Sequence, residues 1–125
     1  MIGYTTVGTN DLPRAAAFYD ALFAEVGAKR MMTMDRLIAW TVAPHLPAFG
    51  VALPYNKEPA TIGNGTMIAL AVKTPEQAKL LHKKALELGA TNEGDPGPRG
   101  GVFYCAYVRD LDGNKLNFFC TVQKS

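Results

Sequence analysis

Three things are scarce in this sequence, and each scarcity removes a class of function. Charge of one sign is the first: 13 Lys and Arg stand against 11 Asp and Glu, a formal net charge of +2. That is too little to argue for nucleic acid or an anionic membrane surface, and no basic run interleaved with aromatics occurs. Long apolar runs are the second. No stretch approaches the ~20 residues of a membrane helix, and Met1-Ile2-Gly3-Tyr4-Thr5 lacks the charged region and apolar run of a secretory signal. Cysteine is the third, with only Cys105 and Cys120 present, too few for a disulfide framework. The expectation is a cytoplasmic protein without nucleic-acid or membrane partners, whose two thiols stay reduced and pack as small apolar side chains.

What is present is an ordinary globular composition on a chain of 125 residues, enough for one domain to bury a core without disulfide or metal. Ile2 to Thr9 reads as a short β-branched strand running into Asn10-Asp11, either of which can cap a following helix. The spacing of Ala15, Phe18, Tyr19, Leu22, Phe23 and Val26 predicts a helix from Leu12 to Val26, closed by Gly27. Lys29 to Met34 and Leu37 to Val42 read as strands about an Asp35-Arg36 turn, and Phe49 to Leu53 as a fourth strand. Pro54 to Gly65 has no periodicity and joins two halves.

The pattern then recurs. Thr66 to Val72 is strand-like, and Thr74-Pro75-Glu76-Gln77 combines an N-cap, a proline at the first helical position and a capping-box glutamine. Ala78, Leu81, Ala85 and Leu88 form the buried stripe of the second helix, which Gly89 stops. Glu25-Val26-Gly27-Ala28 and Glu87-Leu88-Gly89-Ala90 match half a chain apart, so one module is written twice. Module 1 covers about 1–58 and module 2 about 64–125. Each reads strand, helix and three strands, an α+β architecture with helices gathered on one face of largely antiparallel sheet. Gly94 to Gly101 reads as a glycine and proline loop.

Val102 to Val108 and Lys115 to Val122 flank an aspartate-rich turn containing Gly113 and read as a β-hairpin. Placing Asp110 opposite Lys115 collects Phe103, Cys105, Tyr107, Leu116, Phe118, Cys120 and Val122 on one face, an apolar set suited to packing beneath a helix. The other face then carries Tyr104, Ala106, Val108, Lys115, Asn117, Phe119 and Thr121, with the mixed character of a ligand-facing wall. In that register the two cysteines fall opposite each other, and a slip by one residue would mix the two sets.

The stretch Asn10-Asp11-Leu12-Pro13-Arg14-Ala15-Ala16-Ala17-Phe18-Tyr19 resembles the first strand-to-helix junction of the vicinal oxygen chelate superfamily, which includes glyoxalase I, bleomycin-resistance proteins and extradiol dioxygenases. Asp110-Leu111-Asp112-Gly113-Asn114 resembles its closing Asp-Pro-Asp-Gly-Asn hairpin, with Leu111 in place of proline. The resemblance spans nearly the whole chain. It implies two βαβββ modules forming an eight-stranded cup with helices on the outer face, commonly completed as a homodimer. Metal-binding members take His, Gln or Glu ligands from the first, fourth, fifth and eighth strands. The matching positions here are Tyr4, the run Phe49-Gly50-Val51-Ala52-Leu53, Met67 and Asn117. Asn and Met are poor ligands for Zn, Ni or Fe, and a catalytic site needs about three good donors, so no metal and no cofactor are expected. The glutamate that would serve the glyoxalases as base is Asn117 here.

Tyr4, with Thr6 at the same parity, and Met67, Ala69, Tyr104, Asn117 and Phe119 are the candidates for a pocket that holds a small, partly aromatic molecule. The same residues would otherwise fill the cup themselves, with Tyr4 and Asn117 hydrogen-bonded to each other. Arg99 is the candidate for anion recognition. His45, in Pro44-His45-Leu46-Pro47, and the rim aromatics Trp40 and Tyr55 are further candidate ligand contacts, Trp40 with a core role as its alternative. His82 lacks an orienting partner at a fixed offset. Two functions follow as expectations. One is a metal-independent small-molecule-binding protein. The other is a glyoxalase-like lyase or isomerase acting on a small carbonyl or thiol-conjugated substrate, with Tyr4 and Arg99 or His45 as acid-base or electrophilic groups.

Overall fold

The computed structural model describes residues 1–122. Its elements are β1 (Tyr4–Gly8), α1 (Leu12–Ala24), β2 (Lys29–Thr33), β3 (Leu37–Thr41), β4 (Ala48–Ala52), β5 (Ile68–Ala71), α2 (Pro75–Glu87), β6 (Thr91–Arg99), β7 (Phe103–Arg109) and β8 (Lys115–Thr121). They fall into two compact units, Met1–Ile62 and Gly63 onward. Each has one helix and one four-stranded sheet, and the strand order repeats as β1-β4-β3-β2 and β5-β8-β7-β6. In both units the first strand runs parallel to the last, because a helix carries the chain across between them. The remaining pairs are antiparallel. This is the α+β class that the repeated pattern predicts.

In the first unit Asp11 is the cap: its Oδ1 accepts from the Arg14 amide at 3.1 Å. Asn10 instead clamps Ala60, donating to its carbonyl and accepting from its amide at 2.7 Å. The helix ends at Ala24 and Gly27 turns the chain with φ +74°, a conformation that favours glycine. The apolar stripe of α1 meets the β3 and β4 side chains. Tyr19 lies 5.6 Å from Trp40 and 4.9 Å from Phe49 between ring centroids, a cluster in which each aromatic pair adds about 0.5–1.5 kcal/mol beyond its buried area.

Trp40 is only 2% exposed. Its indole N–H donates to Asp20 Oδ1 at 2.8 Å, while Arg30 Nη2 reaches Asp20 Oδ2 at 2.7 Å. The Arg30 hydrogen bond holds the Asp20 carboxyl below the ordinary range against the opposing effect of burial, with the Trp40 bond and the Arg30 charge assisting. A rim position for Trp40 is therefore corrected. It alternates with the half-buried Leu37 side of β3 and points into the core, as Ile38 does.

In the second unit Thr74 caps α2, its hydroxyl accepting from the Gln77 amide at 3.1 Å, and Gln77 Oε1 accepts from the Lys73 amide at 2.9 Å. His82 is buried with its Nε2 2.9 Å from Asn92 Oδ1, which also accepts from the Gly94 amide. An amide oxygen can only accept, so Nε2 carries the hydrogen. The histidine links α2 to β6, a structural task.

Two expectations fail here. The stretch Gly94 to Gly101 is mostly strand, since β6 runs to Arg99 and pairs with β7 through two register shifts, between Asn92 and Gly94 and between Gly94 and Gly97. Pro96 and Pro98 fit because β6 is the sheet edge, where a missing N–H leaves no ladder bond unmade, and the shifts absorb the rest.

The hairpin register also differs. Arg109 pairs with Lys115 and Tyr107 with Asn117, one residue from the Asp110–Lys115 alignment. The turn explains it. The Gly113 amide donates to Asp110 O at 3.0 Å, Gly113 has φ +89°, and the Asp110 amide donates to Asn114 O at 2.9 Å. That is a three-residue loop with a left-handed glycine at its end, where the four-residue loop was expected. Asp110 Oδ1 further accepts from the Asp112 and Asn114 amides, both at 2.9 Å. One face of the hairpin is then Tyr104, Ala106, Val108, Leu116, Phe118 and Cys120, packed beneath α2, with Lys79 of that helix 5.8 Å above the Tyr104 ring. The other is Phe103, Cys105, Tyr107, Asn117 and Phe119. Cys105 faces Phe119 across the ladder, and both thiols are free and buried.

Candidate functional site

The face of the second sheet turned away from α2 carries a pocket of about 310 Å³ lined by Ala69, Arg99, Gly100, Phe103, Cys105, Tyr107, Asn117 and Phe119. Pairing explains the assembly. Ala69 is registered with Asn117 across β5 and β8, Asn117 with Tyr107 and Phe119 with Cys105 across β8 and β7, and paired residues project to the same face. Phe103 and Phe119 meet edge to face at 6.2 Å, giving the pocket an aromatic wall.

Asn117 is 7% exposed and its Oδ1 is buried with no hydrogen-bond partner. An amide oxygen left that way costs about 1–3 kcal/mol, so the site stores a demand for a donor. Arg99 closes one side. Its Nη1 donates to Pro98 O at 3.1 Å and its Nη2 to Asp95 O at 2.8 Å, and its guanidinium lies 5.8 Å from the Tyr107 ring centroid. Lys115 Nζ lies 5.3 Å from the same ring. The Tyr107 phenol is held above its ordinary range by its hydrogen bond with the Cys105 sulfur, then by burial and the Cys105 charge, with Arg99 pulling the other way. Gly94 packs directly on that ring: a Cβ there would lie 2.8 Å from Tyr107 Cδ2. The Cys120 thiol, on the helix face, is also pushed up, by burial first and then by the charges of Cys105 and Glu76.

Of the expected site residues, Ala69, Arg99, Asn117 and Phe119 come together here. Tyr104 does not, since the register turns it beneath α2. Met67 precedes β5 and does not line the pocket. Tyr4 and Thr6 belong to the first unit, on the side of β1 opposite the buried Val7, and Tyr4 is 61% exposed. Tyr55 is 85% exposed, with the Arg36 guanidinium 5.3 Å from its ring, and His45 is exposed between β3 and β4. Phe103, Cys105 and Tyr107 were missed. The signal that would have found them is the spacing of Gly113 three residues after Asp110, which sets the loop length and with it the face.

A larger groove of about 690 Å³ in the first unit runs past Asn10, Asp11, Asp20 and Arg30. Asn10 is engaged with Ala60, Asp11 as a cap and Asp20 with Arg30 and Trp40, and Asp35 is exposed. It presents no buried group awaiting a partner, so the smaller pocket is the stronger candidate.

The donor chemistry does not suit a divalent ion. The positions that resemble the metal ligands offer a phenol at Tyr4, a thioether at Met67 and an amide at Asn117, and β4 offers only Ala48, Phe49, Gly50, Val51 and Ala52. Among the described residues no group of three or more His, Cys, Asp or Glu side chains is gathered to hold a metal. No described helix is long and apolar enough to cross a membrane.

No curated protein matches the chain. Among solved structures, a glyoxalase/bleomycin resistance protein from Albidiferax ferrireducens is similar at 33% identity and TM-score 0.87, over 96% of this chain and 98% of that one. A hypothetical protein from S. aureus is similar at 25% identity and TM-score 0.75, over 96% and 92%. A lactoylglutathione lyase from Agrobacterium tumefaciens shares the fold at 18% identity and TM-score 0.70, over 96% and 92%. The family model described as Glyoxalase/Bleomycin resistance protein/Dioxygenase superfamily matches residues 1–118. With that match over nearly its whole length, the chain belongs to the Glyoxalase/Bleomycin resistance protein/Dioxygenase superfamily.

Proposed function

We propose that this protein binds a small molecule, without metal, on the face of the second unit's sheet turned away from α2. The observation that carries the reading is Asn117 Oδ1, buried and unpartnered in a pocket walled by Phe103 and Phe119 and flanked by Arg99. An apolar wall with a few placed polar groups is the usual form of a ligand site. A residue that filled the pocket for packing alone would bring its own hydrogen-bond partner. Metal independence is supported by the donor set, which lacks imidazole and carboxylate at the positions in question.

The same reading takes the protein as a cytoplasmic homodimer, in keeping with the pairing common in the family. Light scattering across a concentration series tests the dimer. The test of binding is a thermal-shift panel of small carboxylates, thioethers and aromatic compounds on chelator-treated protein, repeated on Phe119→Ala. Saturation at 100 times Kd stabilises the fold by about 2.7 kcal/mol. A panel in which no compound raises Tm, or in which the rise survives Phe119→Ala undiminished, contradicts the proposal.

A second reading, a glyoxalase-like lyase or isomerase acting on a small carbonyl or thiol-conjugated substrate, is favoured by Tyr107. Tyr107 lines the pocket beside Arg99, where its phenol O–H can donate to a substrate oxygen. Turnover of a glutathione hemithioacetal that falls with Tyr107→Phe distinguishes it from sequestration alone.

A further inference from the structure

We infer that the pocket of the second unit takes a small monocyclic carboxylate that also carries a hydrogen-bond donor. This rests on the binding reading above and adds to it the chemical class of the ligand.

The charge of the lining comes first. Arg99 is present and none of the other lining residues is acidic. A cation beside apolar surface, with no carboxylate lining the same pocket, favours an anionic guest and disfavours an ammonium one. Arg99 is also held in place. Two of its five N–H groups are directed to main-chain carbonyls of its own strand, which fixes the guanidinium and leaves three donors in a planar fork. Gly97 makes room for it, since a Cβ there would lie 3.0 Å from Arg99 Nη1. A carboxylate matches that fork with two parallel bonds. One arginine neutralises a single charge, so a monoanion fits better than a dianionic phosphate.

Asn117 sets the second requirement. Its Oδ1 can only accept, and it is buried without a partner, so the guest must present an O–H or N–H. The body between these groups meets Phe103, Phe119 and Ala69. A pocket of about 310 Å³ is at the small end of ligand sites, which run from about 300 to 1,000 Å³, so it suits one ring.

Titration calorimetry on chelator-treated protein tests this with 2-, 3- and 4-hydroxybenzoate, benzoate, and the hydroxybenzamide and hydroxybenzylamine matching the best isomer. At least one hydroxybenzoate should bind about tenfold or more tightly than its neutral amide, the difference expected of a charged bidentate contact, and the amine should bind more weakly still. Arg99→Ala should erase the preference for carboxylate, and Arg99→Lys should retain only part of it. Asn117→Leu should erase the preference for hydroxybenzoate over benzoate. Equal binding of amide and acid, or a carboxylate preference that survives Arg99→Ala, overturns the assignment of class while leaving small-molecule binding in place. The same split result follows if none of these compounds binds but others in the thermal-shift panel do. If nothing binds in either experiment, both readings fall.

Discussion

Replacing Asn117 by leucine should make the ligand-free protein more stable and the pocket less able to hold its guest. The side chain is 7% exposed, and its Oδ1 has no partner. Removing an unpartnered buried amide oxygen recovers about 1–3 kcal/mol. Leucine has a similar volume and adds apolar contact with Phe119 and Ala69, while imperfect fit returns up to about 1 kcal/mol. The net expectation is a gain of about 1–2 kcal/mol. For a chain of this length that corresponds to a rise in Tm of roughly 4–8 °C, read by calorimetry on ligand-free protein. Binding should move the opposite way, with the variant losing the ligands that donate to Oδ1. Such opposed changes mark a residue kept for function at the expense of stability. A loss of more than about 1 kcal/mol on Asn117→Leu would refute the reasoning, since only a structurally satisfied amide behaves that way.

Gly94→Ala should weaken ligand binding and also destabilise the sheet, because a Cβ 2.8 Å from Tyr107 Cδ2 and 3.4 Å from its Cβ forces the Tyr107 side chain or β6 to shift; calorimetry with the best ligand of the panel measures the first and urea unfolding the second. In the first unit, Asp20→Ala should cost about 1–3 kcal/mol by leaving the buried Trp40 indole N–H without its acceptor. Asp20→Asn keeps an acceptor and isolates the charge. Because Asp20 titrates below its ordinary value of 3.8 in the folded protein, its charge stabilises the fold above that value and the benefit is lost as pH falls through the folded pKa. The Tm gap between wild type and Asp20→Asn should therefore be widest near neutrality and close below pH 3.8, and a gap that widens on acidification contradicts the assignment. Leu22→Ala, at a fully buried position on α1, should cost about 2–5 kcal/mol in urea unfolding.

Most of the fold is legible in the residues because its signals are local. Thr74-Pro75 and the stops at Gly27 and Gly89 mark helix ends through chemistry that acts within a few residues, and the repeated strand-helix-strand pattern carries the two units. The site was legible only by half, for a reason equally physical. Side chains alternate across a strand, so an error of one residue in the hairpin register transfers a whole strand to the other face. The alternation along β8 puts Asn117 and Phe119 on the face turned away from α2, as the pattern predicts. A four-residue loop would turn Tyr104 to that face; the three-residue loop turns Phe103, Cys105 and Tyr107 there instead. Trp40 shows a different limit. Its burial depends on the acceptor that Asp20 offers from a neighbouring helix, a contact that periodicity along β3 does not encode. The prolines of β6 read as loop because their tolerance depends on the strand lying at the sheet edge, which is a property of topology rather than of the segment.

The most direct test of a metal-free ligand pocket in the second unit is an amide-resolved NMR titration of chelator-treated protein with the compound that gives the largest thermal shift, repeated after addition of Ni, Zn, Mn and Fe(II). The account predicts shifts centred on Ala69, Arg99, Phe103, Tyr107, Asn117 and Phe119 and a Kd that the metals leave unchanged. Binding that disappears under chelation and returns with one ion per chain, or shifts that bypass these residues, would contradict it.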